Sequence, residues 1–255
     1  MTDRGLQEAI RAVGGVSELA RRIGISQPSV SNWAKIPAER VLSVEALTGV
    51  GREVLRPDLY AGAQAEADVD AARAQEYALL AALLLRAPNA DLLDRIGDLR
   101  GDATALGLAH IELAAAARDA NVQTIQQEFF DVFIGIGRGE LLPYGSYYLT
   151  GFLHERPLMR LRQDMAEIGI DRAEGVVEPE DHAGILCEIM TGLVGGQLPA
   201  APESDRAVFE KHMAPWIGRF FGDLERVESS KFYRRVGTVG RLFTEIEMQA
   251  FALAD

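Results

Sequence analysis

The chain has 255 residues, of which 48% are hydrophobic and 25% charged, and a net charge of -12. That is enough apolar mass for one large or two small cores, and it excludes a chain that stays disordered. The acidity is uneven: residues 1–60 carry eight cations and seven anions, net +1, whereas the remainder carries -13. The larger part of the chain therefore repels nucleic acid and the N-terminal part does not, so the two parts are expected to meet different partners.

A single cysteine, Cys187, rules out an internal disulfide and points to a reducing compartment. The opening MTDRGLQEAI has no apolar core of a signal peptide, and the longest apolar run, residues 77–85, is too short to span a bilayer. A cytoplasmic protein with no membrane partner is the expectation.

In chain order, the first signal is VSELARRIGISQPSVSNWAK, residues 16–35. Ser17 is placed to cap a helix whose apolar positions are Leu19, Ala20 and Ile23, and Gly24 supplies the tight turn that ends it. Ser26 caps a second helix with Gln27 and Pro28 in its first turn, and Val30 and Trp33 face inward. This is the grammar of a helix-turn-helix. With the following IPAERVLSVEALTGVGREVLRPDLY, which ends in Leu55, Arg56, Pro57 and Asp58, it resembles the Cro/phage-repressor-like helix-turn-helix domains over residues 1–60. A DNA-binding domain of this type offers the exposed start of its second helix to the major groove. Gln27, Ser29 and Asn32 are the polar side chains there, Gln and Asn being suited to adenine. Lys35, Arg21 and Arg40 are the phosphate candidates. A net charge of +1 is low for such a domain, so a helical bundle without DNA contact stays open as the alternative.

A polar, Ala-rich stretch follows Pro57 and Gly62, read as a linker over 61–69, and a new helix is expected at about 70–86. Further breaks are expected at 87–89, 101–102, 135–146, 169–177 and 195–203. Between them apolar residues recur at helical spacing: Val122, Ile125, Phe129, Phe133, Ile136; Phe209, Met213, Trp216, Ile217, Phe220; and Phe232, Val236, Val239, Phe243, Ile246. No sustained period-two alternation occurs, so no sheet is expected. The fold class is all-α: a small helix-turn-helix bundle plus a larger helical domain over 70–255.

Gly135, Gly137 and Gly139 follow a helix rather than a strand and lack a Lys-Ser/Thr pair, so they make no phosphate loop. The histidines 110, 154, 182 and 212 have no metal-ligand spacing with each other or with Cys187. No nucleophile-base signature surrounds Cys187. No catalytic residue, metal or cofactor is assigned, and an enzyme is not expected.

The stretch GVVEPEDHAGILCEIM places Glu178, Pro179, Glu180, Asp181 and His182 in a row. Local cues read it as a helix start, with Pro179 at the first position, acids favouring the helix dipole, and Glu178 four residues before His182 and able to pair with it. In order along the chain stand E-F-F-x-x-F at 128–133, P-Y-G-S-Y-Y-L at 143–149, E-P-E-D-H at 178–182, H-M-A-P-W at 212–216 and F-Y at 232–233. This series resembles the TorD/DmsD family of all-α chaperones for molybdenum enzymes, over residues 70–255. The resemblance implies binding of an apo-molybdoenzyme, through its twin-arginine signal peptide or its catalytic subunit, until cofactor loading. It implies a client site at Pro143, Tyr144, Ser146, Tyr148, Asp181 and His182, with Glu178 beside them. Relatives often carry Trp where this chain has Tyr144 and Tyr148. The wording GELLPYGSYYLTGFL looks most like members associated with formate dehydrogenases. An acidic, aromatic-lined site complements guanidinium groups. The alternative is a transcription regulator that uses the helical domain to sense unassembled enzyme. Repressor-like domains act as dimers, so a homodimer is among the expected assemblies.

Overall fold

A computed structural model describes residues 3–172, 178–198 and 200–253. Residues 173–177 and 199, which fall within two of the expected breaks, lie outside the described residues. Among the described residues there are helices and no strands; the one isolated bridge pairs Tyr144 with His182. The all-α fold class is what the structure shows. The chain divides into two compact units, Met1–Asp70 and Ala71–Asp255.

In the first unit α1 (Arg4–Val13) is capped by the Asp3 carboxylate and stopped by Gly14, and α2 (Val16–Ile23) is stopped by Gly24, both glycines in the left-handed conformation. Ser17 does not cap α2: the helix begins at Val16 behind Gly15, which places Ser17 inside its first turn. Ser26 does cap α3 (Gln27–Ser31), its side chain accepting the Ser29 N–H. A 3-10 turn (Ala38–Arg40) leads into α4 (Val41–Thr48) and α5 (Arg52–Leu55). Leu6, Leu19, Val30, Ile36, Val44 and Leu55 form the core. The L-R-P-D ending has a packing reason. Arg56 is buried, donates to the Ile36 carbonyl and forks onto both carboxylate oxygens of Asp58 at 2.7 and 2.8 Å.

The next helix, α6, runs unbroken over Pro57–Leu85. The expected break at Gly62 and linker at 61–69 are therefore corrected to helix. Pro57 suits a first turn, and Ala, Gln and Glu propagate a helix even where no apolar stripe marks it. Tyr60 packs on the first core and Tyr77 lies in the second.

The second unit continues with α7 (Ala90–Gly97), α8 (Ala105–Asp119) and α9 (Val122–Phe129), which widens into a π turn (Phe130–Ile134). Then come α10 (Gly145–Thr150), α11 (Arg156–Glu167), α12 (Ala183–Val194), α13 (Ser204–Val208) with a π turn (Phe209–Met213), α14 (Ile217–Leu224) and α15 (Lys231–Leu253). The long α15 packs against α8, α9 and α14. It approaches α14 closely because Gly237 and Gly240 carry no side chain. A Cβ on Gly240 would sit 2.2 Å from the Phe221 ring, and one on Gly237 2.4 Å from the Glu225 backbone nitrogen. The stripes at 209–220 and 232–243 are core, but Ile136 is 99% exposed and Ile246 half-exposed. The π turn ends at Gly135, before Ile136, so the stripe loses its helix there.

Candidate functional site

Two backbone hydrogen bonds bring the segments at 143–148 and 178–182 together. The Ala183 N–H donates to the Pro143 carbonyl at 2.7 Å, and the Gly145 N–H donates to the Asp181 carbonyl at 2.9 Å. Tyr144 stands opposite His182 between these rungs. The helix after the acidic run starts at Ala183, not at Pro179. Glu178 to Asp181 therefore form a turn, and the expected pairing of Glu178 with His182 along a helix face is corrected.

Each side chain then has a distinct task. The Asp181 carboxylate accepts the Ser146 N–H through Oδ2 at 2.7 Å, at the start of α10. Both residues are buried, and neither Asp181 Oδ1 nor Ser146 Oγ has a hydrogen-bond partner among the described residues. Unmatched polar atoms in a protein interior are costly. A cavity of about 120 Å³ opens beside Asp181, walled by Gly145, Leu149, Leu161 and Trp216. Pro157, Arg160, Lys211 and His212 complete its lining. Gly145 lies close against this wall: a Cβ there would stand 3.0 Å from the Trp216 indole nitrogen.

His182 accepts the Gly184 N–H on Nδ1 at 3.0 Å and so caps α12. That places the proton of the neutral ring on Nε2. Burial pushes its pKa down to about 4, against the opposing pull of Glu178 and Asp181. Tyr144 meets His182 edge to face, with centroids 5.1 Å apart, and donates its hydroxyl to Glu178 Oε2 at 2.7 Å. Burial, then the Glu178 carboxylate, raises the Tyr144 pKa, so this hydroxyl stays a donor.

Tyr148 faces a different cluster. Its ring lies on Trp216 with centroids 5.6 Å apart, its hydroxyl donates to Asp223 at 3.1 Å, and Arg219 holds its carbonyl at 2.8 Å. The indole N–H of Trp216 donates to the His212 carbonyl, and the His212 ring in turn meets Asp164 at 2.6 Å. Thus Pro143, Tyr144, Ser146, Glu178, Asp181 and His182 form one constellation, and Tyr148 adjoins it through Trp216. Trp216 was visible in the H-M-A-P-W motif. Asp223 and Arg219 carried no sequence signal, because their partners lie more than 70 positions away.

In the first unit Gln27, Ser29, Asn32, Lys35, Arg21 and Arg40 are all exposed. Helix α3 has only five residues, so Asn32 is its C-cap and Lys35 lies beyond it. Several of these groups already have partners. Gln27 donates to Ser31, Ser29 meets Ser26, Arg21 is paired with Glu18 at 2.6 Å, and Lys35 with Asp58 at 2.7 Å.

Cys187 is fully buried, and burial pushes its thiol pKa up, away from the reactive thiolate. Among the described residues no group of three or more His, Cys, Asp or Glu is arranged to hold a metal ion. No helix among them is long and apolar enough to cross a membrane.

Comparison with known proteins adds the following. Residues 99–222 match the family described as nitrate reductase delta subunit, and residues 6–64 the family described as bacterial toxin YdaS. The chaperone protein TorD of Vibrio atlanticus is 23% identical over 203 residues, covering 71% of this chain and 94% of that protein. The chaperone protein TorD of Vibrio cholerae is 26% identical over 112 residues, and the matched segment spans half of that protein. YdaS of Escherichia coli, named as a transcriptional regulator, is 44% identical over 59 residues, covering 21% of this chain and 60% of that protein. A solved structure from Archaeoglobus fulgidus, described as a redox enzyme maturation protein, superposes with a TM-score of 0.46 at 22% identity, over 68% of this chain and 93% of that one. The TorD relatives are named as chaperones. The resemblances read in the sequence hold in both units: the chain joins a YdaS-like helix-turn-helix domain to a TorD-like domain.

Proposed function

We propose that the second unit is a chaperone that binds an unfinished molybdenum enzyme, at its signal peptide or its catalytic subunit, before cofactor insertion and assembly or export. The observation that carries this reading is the unmatched Asp181 Oδ1, buried beside a cavity whose wall includes Trp216. A buried carboxylate oxygen held in place through its twin and left without a hydrogen bond is prepared for a donor that another molecule brings. Pro143, Tyr144, Ser146, Tyr148, Glu178 and His182 shape and orient that site. The names of the TorD relatives support the role, and the wording of residues 139–153 favours a formate dehydrogenase as client. The work is done in the cytoplasm, where such enzymes are assembled. Calorimetry against the apo-enzyme tests the site. Asp181→Ala and His182→Ala are expected to weaken binding with helicity intact, and unchanged affinity overturns the assignment.

A second reading is favoured by the exposed, uncharged surface of α3 and the named YdaS relative. On it the first unit binds DNA through Gln27, Ser29 and Asn32, with Lys35, Arg21 and Arg40 on phosphates, as a homodimer. The second unit then senses unassembled enzyme. Client and DNA must then oppose or favour each other reciprocally. Independent, additive binding of the two removes this reading.

A further inference from the structure

Helices α10 and α11 are joined by the turn Gly-Phe-Leu-His-Glu, residues 151–155, which holds two apolar side chains out of the protein. Phe152 is 69% exposed, and Leu153 beside it is exposed as well. The turn is fastened rather than loose. Gly151 is left-handed, and its N–H donates to the Tyr147 carbonyl at 2.8 Å. The Thr150 hydroxyl donates to the Ser146 carbonyl at 2.8 Å and accepts the Phe152 N–H at 3.2 Å. His154, at φ +59°, holds a backbone conformation that is costly for a residue with a side chain. Leu149 on α10 and Met159 on α11, the latter 61% exposed, extend the apolar surface on either side of the turn. Clustered apolar exposure of this kind marks an interaction site.

Cations frame it. Residues 145–163 carry Arg156, Arg160 and Arg162 against Glu155 alone, a net charge of +2 within a part of the chain whose total is -13. Arg162 is paired with Glu180, but Arg156 and Arg160 have no hydrogen bond or ion pair among the described residues. Their spacing from Met159 puts all three on one face of α11. Arg138 and Arg219, over the Tyr147 and Tyr148 rings of α10, likewise have no carboxylate partner among the described residues.

We propose that this hairpin docks on an anionic lipid surface, with Phe152, Leu153 and Met159 entering the boundary between headgroups and acyl chains and Arg156 and Arg160 meeting lipid phosphates. Shape and charge select this occupant. The apolar pair stands at a tip, which a fluid interface admits without a matching pocket. The frame is cationic, as attraction to an anionic headgroup layer requires. Salt screens the acidity of the rest of the chain beyond about 10 Å, so the face in contact decides the sign of the interaction. A second copy meeting this face symmetrically would set arginine against arginine. Duplex nucleic acid would take the arginines but offer no apolar layer to the tip. Docking of this kind needs no membrane-crossing helix, and it departs from the expected absence of a membrane partner.

The test uses the full chain and vesicles of equal parts phosphatidylglycerol and phosphatidylcholine, with vesicles of phosphatidylcholine alone beside them, read by co-flotation. At low salt the native chain is expected to float with the anionic vesicles and not with the neutral ones. Phe152→Ser combined with Leu153→Ser, at exposed positions that leave helicity unchanged, is expected to weaken binding about tenfold or more. Arg156→Gln is expected to weaken it about fivefold and to flatten its salt dependence. A native chain that floats with neither kind of vesicle overturns the proposal. So does binding to the anionic vesicles that the serine variant leaves unchanged, since the contact is then one of charge made by another face. So does a dimer that the serine variant dissociates and the vesicles do not compete with, since the tip would then belong to a second copy.

Discussion

Asp181 holds the Ser146 backbone N–H at 2.7 Å while its second carboxylate oxygen and the Ser146 hydroxyl both stay unmatched inside the protein. Half of each residue stabilises the fold and half is left over. Asp181→Asn keeps the shape and an acceptor but removes the charge. It is expected to lower client affinity about tenfold or more, as loss of a charge-assisted hydrogen bond does. Ser146→Ala removes an unmatched hydroxyl and is expected to leave stability within about 1 kcal/mol of the native chain. Calorimetry for the first and urea unfolding for the second check the pair.

His182 makes stability depend on pH in one direction. Its folded pKa, about 4, lies below the roughly 6.5 of an unfolded histidine, so between those values the unfolded chain binds more protons than the folded one. Stability contributed by the neutral ring is complete above about pH 7 and is lost as the pH falls toward 4, by about 2 kcal/mol at pH 5. The loss measured by urea unfolding at pH 7 and pH 5 is expected to shrink in His182→Asn, which keeps a cap acceptor and does not titrate. An equal loss in both proteins shows that other groups account for it.

Gly240 is where α15 meets the Phe221 ring. Gly240→Val has no room and is expected to destabilise the second unit by about 1–3 kcal/mol, read as a lower thermal midpoint. Gly218, with open space around the same construction, should tolerate alanine.

On the DNA-binding reading, the paired cations predict weak salt dependence, because Arg21 and Lys35 are already neutralised by Glu18 and Asp58. Glu18→Gln releases Arg21 and Arg22, and is expected to raise affinity and steepen the slope of log affinity against log salt by about 0.9 per cation that reaches a phosphate. Gln27→Ala and Asn32→Ala should weaken binding to a specific sequence. A gel shift with the DNA upstream of the chain's own operon, unshifted at low salt, removes the reading.

Helical periodicity made most of the fold legible, because spacing at 209–220 and 232–243 reports burial directly. Several places differ from that reading, for separate reasons. The Ala-rich stretch after Gly62 lacks an apolar stripe yet propagates α6 through intrinsic propensity. Pro179 suits a helix start, but backbone pairing with residues 143–145 holds Glu178 to Asp181 in a turn. Ile136 continues a stripe whose helix has already ended. The constellation itself was named through motif order rather than physics. Its geometry joins Gly145 to Asp181 and Pro143 to Ala183 through backbone hydrogen bonds, which leave no trace in composition. The exposed tip at Phe152 and Leu153 was not foreseen at all, since its apolar pair is indistinguishable in sequence from core.

The two rungs between Pro143–Gly145 and Asp181–Ala183 are made of backbone N–H and C=O groups, which every residue carries, proline lacking only the N–H. Architecture and selectivity are therefore written in different alphabets at this clasp. On the proposed reading, exchanging Tyr144 or Tyr148 for another aromatic is expected to leave the rungs in place, so a lineage, or an engineer, could retune which guest is welcomed while the joint that presents the change is inherited intact.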